Sequence, residues 1–103
     1  MSNWTRVAGV DEIPLGGRLS VEIDDVPALL LRDDRGYHCI EDLCTHDGQP
    51  LTNGEFANGC ITCPRHGAKF DVTTGAPKCM PATEPVRVFP VEQRPDGVYV
   101  ADA

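Results

Sequence analysis

No apolar run in this chain comes near membrane length. The longest apolar block, residues 27–31, is far short of the ~20 residues that a spanning helix needs. Sustained 3.6-residue periodicity is missing too, and nine prolines and ten glycines punctuate the whole chain, which argues against a helical bundle. Basic residues are few: nine Lys and Arg against sixteen Asp and Glu leave a net charge of −7. That balance speaks against nucleic acid and anionic membrane surfaces, and for solubility or a basic protein partner. Residues 1–6 show no charged segment leading into an apolar one, so no secretory signal is visible. The five cysteines are an odd number, which makes a disulfide scaffold a poor reading and a reducing cytoplasm the expected location.

What the chain does have is a series of short extended runs between turn signals. Arg18–Ile23 alternates apolar and polar residues, the pattern of a half-buried strand. Asp24-Asp25 turns the chain into a continuous apolar strand over residues 27–32, and Asp33-Asp34-Arg35-Gly36 turns it again into residues 37–41. Asn53-Gly54 and Asn58-Gly59 bracket an excursion through Phe56, and residues 59–62 read as the next strand. Lys69–Asp71 is short and extended, residues 86–92 read as one strand with mixed faces, and Pro95-Asp96-Gly97 leads into the closing strand 98–100. An apolar share of 41% fits an ordinary folded domain. The expectation is one all-β domain spanning residues 1–103, a small antiparallel β-sandwich or barrel.

Two stretches stand apart, Cys44-Thr45-His46-Asp47-Gly48 and Cys63-Pro64-Arg65-His66-Gly67. Together they read C-x-H-x16-C-x-x-H, one thiol and one imidazole from each of two loops, and each stretch closes on a glycine. Two soft and two borderline ligands make a four-ligand metal site. A structural zinc accepts the same donors, although zinc modules usually pair cysteine with cysteine and histidine with histidine. At this level zinc, an iron–sulfur centre and plain core residues all stay open.

The two stretches resemble those of the Rieske family of [2Fe–2S] proteins, most specifically over residues 37–71, with residues 81–90 similar to the family's covering loop and following strand. The resemblance implies a [2Fe–2S] cluster, one per chain, with Cys44 and Cys63 on one iron and His46 and His66 on the other. It also implies a cluster-binding subdomain at about residues 42–82 carrying both ligand loops. Rieske subunits of respiratory and photosynthetic complexes join these loops by a disulfide. The corresponding positions here hold Gln49 and Arg65, which points to the soluble ferredoxin branch.

The other candidates receive quieter readings. His38 lies in a strand without a partner at ligand spacing, Cys39 reads as a small buried hydrophobe, and Cys60 sits in a strand. Cys79 falls in Pro77-Lys78-Cys79-Met80-Pro81, which resembles the family's shielding loop, and reads as a spectator thiol open to oxidation. No nucleophile–base pair or second cofactor motif is visible, so catalytic residues are expected to be none. By resemblance the chain is a monomeric one-electron carrier between an NAD(P)H-dependent flavoprotein reductase and a terminal non-haem iron aromatic-ring dioxygenase. The alternatives are a small subunit of an assimilatory nitrite reductase, an iron–sulfur assembly accessory, and, in another class, a zinc-stabilised interaction module. Arg65, Lys69 and Lys78 put positive charge beside the expected docking tip, against the sign of the whole.

Overall fold

The computed structural model describes residues 3–45, 48–80 and 83–102. Among these residues every regular element is a strand, and all pairing is antiparallel. The elements are β1 (Trp4–Ala8), β2 (Arg18–Ile23), β3 (Val26–Asp33), β4 (Gly36–Glu41), β5 (Phe56–Ala57), β6 (Cys60–Thr62), β7 (Lys69–Asp71), β8 (Pro77–Cys79), β9 (Val88–Phe89), β10 (Val91–Arg94) and β11 (Gly97–Ala101). They form three sheets, β1-β11-β10, β2-β3-β4-β9 and β5-β6-β7-β8.

The second sheet is the organising layer because three of its strands, β3, β4 and β9, are buried on both faces. Side chains alternate along a strand, so Leu29 and Leu31 of β3 enter one core cluster while Ala28 and Leu30 enter another. Strand β4 does the same with Ile40 and Cys39, and β9 with Val88 and Phe89. This explains why residues 27–32 read as an unbroken apolar run. One cluster gathers the strands of the first sheet, including Val98 and Val100; the other gathers Leu51, Ile61, Phe70, Val72 and Val86, and with them Cys44 and Cys63.

The turn chemistry read from sequence is present. Asp24 and Asp25 take φ of 52° and 66°, and Asn58 and Gly59 take 55° and 76°. Positive φ at both central residues is the two-residue hairpin turn whose twist matches the flanking strands. One expectation needs correcting. Residues 86–92 are not a single strand: β9 pairs with β4, and β10 pairs with β11 in a different sheet. Pro90 stands between them, with no N–H to continue a ladder, and its carbonyl accepts from the Ala101 amide at 3.0 Å. The mixed faces of that run record a chain changing sheets. Strands β1 and β8 carried no strand signal strong enough to be read from the sequence, since both lie at sheet edges with most of their residues exposed or half-buried.

Candidate metal centre

The described parts of the two ligand-bearing stretches are closed by the same pair of backbone hydrogen bonds. In the first, the Cys44 amide donates to the Gln49 carbonyl and the Gly48 amide to the Cys44 carbonyl, both at 2.7 Å. In the second, the Cys63 amide donates to the Ala68 carbonyl at 2.7 Å and the Gly67 amide to the Cys63 carbonyl at 3.0 Å. Each cysteine thus pairs with the residue five positions on and accepts from the glycine four positions on. The two glycines match as well, with φ of 76° at Gly48 and 77° at Gly67. A side chain at either would meet no neighbour within 4 Å, so the requirement is the left-handed backbone rather than space.

Both cysteines point inward. Cys44 is 0% exposed and Cys63 1%, in one apolar cluster with Leu51, Ala68 and Phe70. His66, three residues after Cys63, is exposed. His46 lies outside the described residues, as does Pro81 of the covering loop. Among the described residues, which therefore include three of the four candidate ligands, no group of three or more His, Cys, Asp or Glu side chains converges as a metal site. The donor chemistry nevertheless fits an iron–sulfur centre: two sulfurs in a dry interior beneath an imidazole at the surface.

Contacts from outside hold the loops in place. The Asp42 carboxylate accepts the Leu51 amide at 2.6 Å and the Thr52 hydroxyl, clamping the two ends of the first loop together. The Asp42 amide donates to the Pro27 carbonyl at 2.9 Å, tying that clamp to β3. Arg18 on β2 donates to the carbonyls of Thr52 and Gly54 at 2.7 and 2.6 Å. Gly54 in turn passes so close to β6 that a Cβ there would sit 1.8 Å from the Thr62 carbonyl oxygen. The Thr45 hydroxyl donates to the Glu84 carbonyl at 2.7 Å, joining the first loop to the segment that precedes β9. The Cys79 thiol donates to the Gly67 carbonyl at 3.4 Å, a weaker link from β8 to the second loop. Sequence reading found none of these supports. An acid before the first cysteine and a threonine after it carry no pattern of their own.

The remaining candidates lie where expected. His38 bonds Asp33 at 2.9 Å on the β3–β4 hairpin, with 12% of its side chain exposed. Burial raises the Asp33 carboxyl, but the His38 ring and the Arg35 amide and guanidinium outweigh it and hold it below its ordinary value. Cys39 is buried on the other face of β4 from the ligand cysteines, and burial pushes its thiol up to about 12. Cys60 is half-buried, Cys79 is exposed, and no disulfide joins any of the described cysteines.

With this geometry in view, comparison with known proteins is informative. The family model for the Rieske [2Fe-2S] domain matches residues 3–90. The chain belongs to the Rieske [2Fe–2S] family. A Rieske-type [2Fe–2S] cluster is therefore its cofactor, and the zinc reading falls. Among its relatives is the anthranilate 1,2-dioxygenase ferredoxin subunit of Burkholderia cepacia, 34% identical over 88% of this chain and 84% of that protein. The ferredoxin of carbazole 1,9a-dioxygenase from Nocardioides aromaticivorans IC177 superposes with a TM-score of 0.89 at 34% identity, covering 96% of this chain and 97% of that one. A chain in the complex of reduced oxygenase and oxidized ferredoxin in carbazole 1,9a-dioxygenase superposes with a TM-score of 0.88, also at 34% identity, over 95% and 92% of the two chains. These matches run nearly the full length of a Rieske domain, so the all-β fold expected from the sequence is that of the family.

Proposed function

We propose that this Rieske protein is a one-electron carrier that takes electrons from an NAD(P)H-dependent flavoprotein reductase and hands them to a terminal non-haem iron dioxygenase acting on an aromatic compound. The carrying observation is the pair of matched loops, which bury Cys44 and Cys63 and leave His66 at the surface. In this reading Cys44, His46, Cys63 and His66 hold the cluster, which when bound supplies a one-electron redox couple. Around it the chain's residues have clear tasks. Leu51, Ala68 and Phe70 keep water from the cysteine side, and the Asp42 clamp and Thr45 hold the first loop in shape. The exposed imidazole edge provides the short path out. Relatives named as ferredoxins of dioxygenases support the role, because the chain covers 84–97% of the length of the three proteins described above.

The same reading treats residues 1–103 as one domain with a cluster-holding part at about 42–82, supported by the β5–β8 sheet falling inside that span. It also takes the protein to be a cytoplasmic monomer; no helix among the described residues is long and apolar enough to cross a membrane. The test is reconstitution with a flavoprotein ferredoxin reductase and a Rieske oxygenase component. Oxygen uptake on the aromatic substrate should require this chain and saturate with it. Equal turnover when it is left out would refute the role.

A further inference from the structure

We propose that Arg65, Lys69 and Lys78 make a cationic face around His66 and the exposed Met80, and that this face docks an acidic protein surface on the redox partner; the proposal rests on the electron-carrier reading above. The argument starts from how the chain disposes of its nine cations. Six arginines are engaged elsewhere in the fold. Arg6 donates to the Asp96 carbonyl, Arg18 to the Thr52 and Gly54 carbonyls, and Arg32 to the Ile13 carbonyl. Arg35 pairs with Asp33, Arg87 donates to the Asp102 carbonyl and covers Phe89, and Arg94 pairs with Glu92 and covers Tyr99.

The only two lysines of the chain behave differently. Lys69 on β7 and Lys78 on β8 are exposed, on strands that pair with each other, and neither side chain has a hydrogen-bond or ion-pair partner among the described residues. Asp71, which feels the Lys78 charge, keeps its Oδ1 on the Thr73 and Thr74 amides at 2.7 and 3.2 Å. Edge strands often carry a lysine to discourage stray pairing, and that alone would explain Lys78 on β8. It does not explain Lys69, which sits on an interior strand of that sheet. Lys69 directly follows the second ligand loop, and Arg65 is an exposed residue within it. Met80, 75% exposed beside Cys79, adds an apolar contact of adaptable shape. The result is local positive charge with an apolar spot, on a molecule whose net charge is −7. Such a face complements a carboxylate-ringed apolar patch, and it turns the −7 chain so that His66 leads.

Salt dependence with small oxidants of opposite charge tests the sign of this face. Reduced holoprotein gives one electron to hexacyanoferrate(III), leaving iron(II), or one to tris(phenanthroline)cobalt(III), leaving cobalt(II). The rate with the anionic oxidant should fall about tenfold between low and physiological ionic strength, where the screening length shrinks from about 30 to about 8 Å. The Lys69→Glu/Lys78→Glu variant should reverse that trend while its visible spectrum stays unchanged, and Lys69→Gln/Lys78→Gln should lie between. Poly-L-glutamate, a mimic of an acidic protein surface, should slow hexacyanoferrate with the wild type and not with the glutamate variant. If the anionic rate instead rises with salt in the wild type, net charge governs the approach and the face is refuted. If poly-L-glutamate fails to compete, small anions are attracted there but proteins do not dock, and the partner assignment falls. A purified chain without a [2Fe–2S] spectrum would remove the carrier reading itself and this proposal with it, a result distinct from either salt outcome.

Discussion

Replacing Asp42 by alanine should loosen the first ligand loop without touching a ligand. The carboxylate accepts two hydrogen bonds, from the Leu51 amide at 2.6 Å and from the Thr52 hydroxyl. Leu51 is fully buried, so no water replaces the lost acceptor easily. Hydrogen bonds to a charged group contribute about 1.5–3 kcal/mol each, and an orphaned buried donor adds to the cost. Two such bonds give a loss of about 3–6 kcal/mol, discounted toward about 3 because Asp42 is only part-buried. The loss should appear as local opening, since Arg18 still holds Thr52 and Gly54 from outside the loop. At about 1.4 kcal/mol per factor of ten, protection of the Cys44 amide in hydrogen exchange should drop about a hundredfold. Bleaching of the cluster absorbance on warming should quicken in step. Asp42→Asn, which keeps one carbonyl acceptor, should fall between wild type and Asp42→Ala. A drop in Cys44 protection of less than about threefold in Asp42→Ala would show that the clamp does not hold the loop.

Acid unfolding should report the Asp33–His38 pair. The folded Asp33 carboxyl titrates below its ordinary value of 3.8, so the unfolded chain takes up the proton first as pH falls. The stabilisation is complete above about pH 5 and drains away as pH drops through the lower folded value. His38→Ala should flatten that acid limb in a urea titration, and an unchanged slope would remove the pair from the account. Thiol labelling of the holoprotein at pH 8 should modify Cys79 quickly and Cys39 last among the three cysteines that hold no cluster, because burial pushes the Cys39 thiol up to about 12; early labelling of Cys39 by mass spectrometry would contradict its buried setting. The redox potential should lie toward the lower end of the family's span of about −150 to +300 mV, since high-potential Rieske proteins place serine and tyrosine hydroxyls where this chain has Ala68 and Phe70. Film voltammetry of Ala68→Ser and Phe70→Tyr should show both potentials raised, and a wild-type value well above zero would refute the placement.

The parts of this molecule legible in its sequence are those with strong local rules. Asp24-Asp25 and Asn58-Gly59 declare hairpin turns because few residues accept positive φ in pairs. The apolar run at residues 28–31 declares a strand buried on both faces. The cysteines and His66 of the ligand motif stand out for their chemistry, and Cys44 and Cys63 do meet in one core cluster. What stayed hidden depends on partners far along the chain. That Pro90 sends Phe89 and Val91 into different sheets follows from where β4 and β11 lie. The likeness of the two stretches shows in sequence as a glycine four residues after each cysteine, but the backbone bonds that close both of them on their cysteines do not show there. Asp42 and Thr45 act through Leu51, Thr52 and Glu84, contacts that no short motif announces.

The most direct test of the central claim is pulsed electron paramagnetic resonance on the reduced protein grown with 15N-histidine, with iron and acid-labile sulfide assayed on the same sample. The account predicts two irons and two sulfides per chain and two coupled histidine nitrogens. Both couplings should persist in His38→Ala, and the signal should be lost or reduced to one nitrogen in His46→Ala and in His66→Ala. A chain that holds mainly zinc, or two nitrogen couplings that survive either the His46 or the His66 substitution, would contradict it.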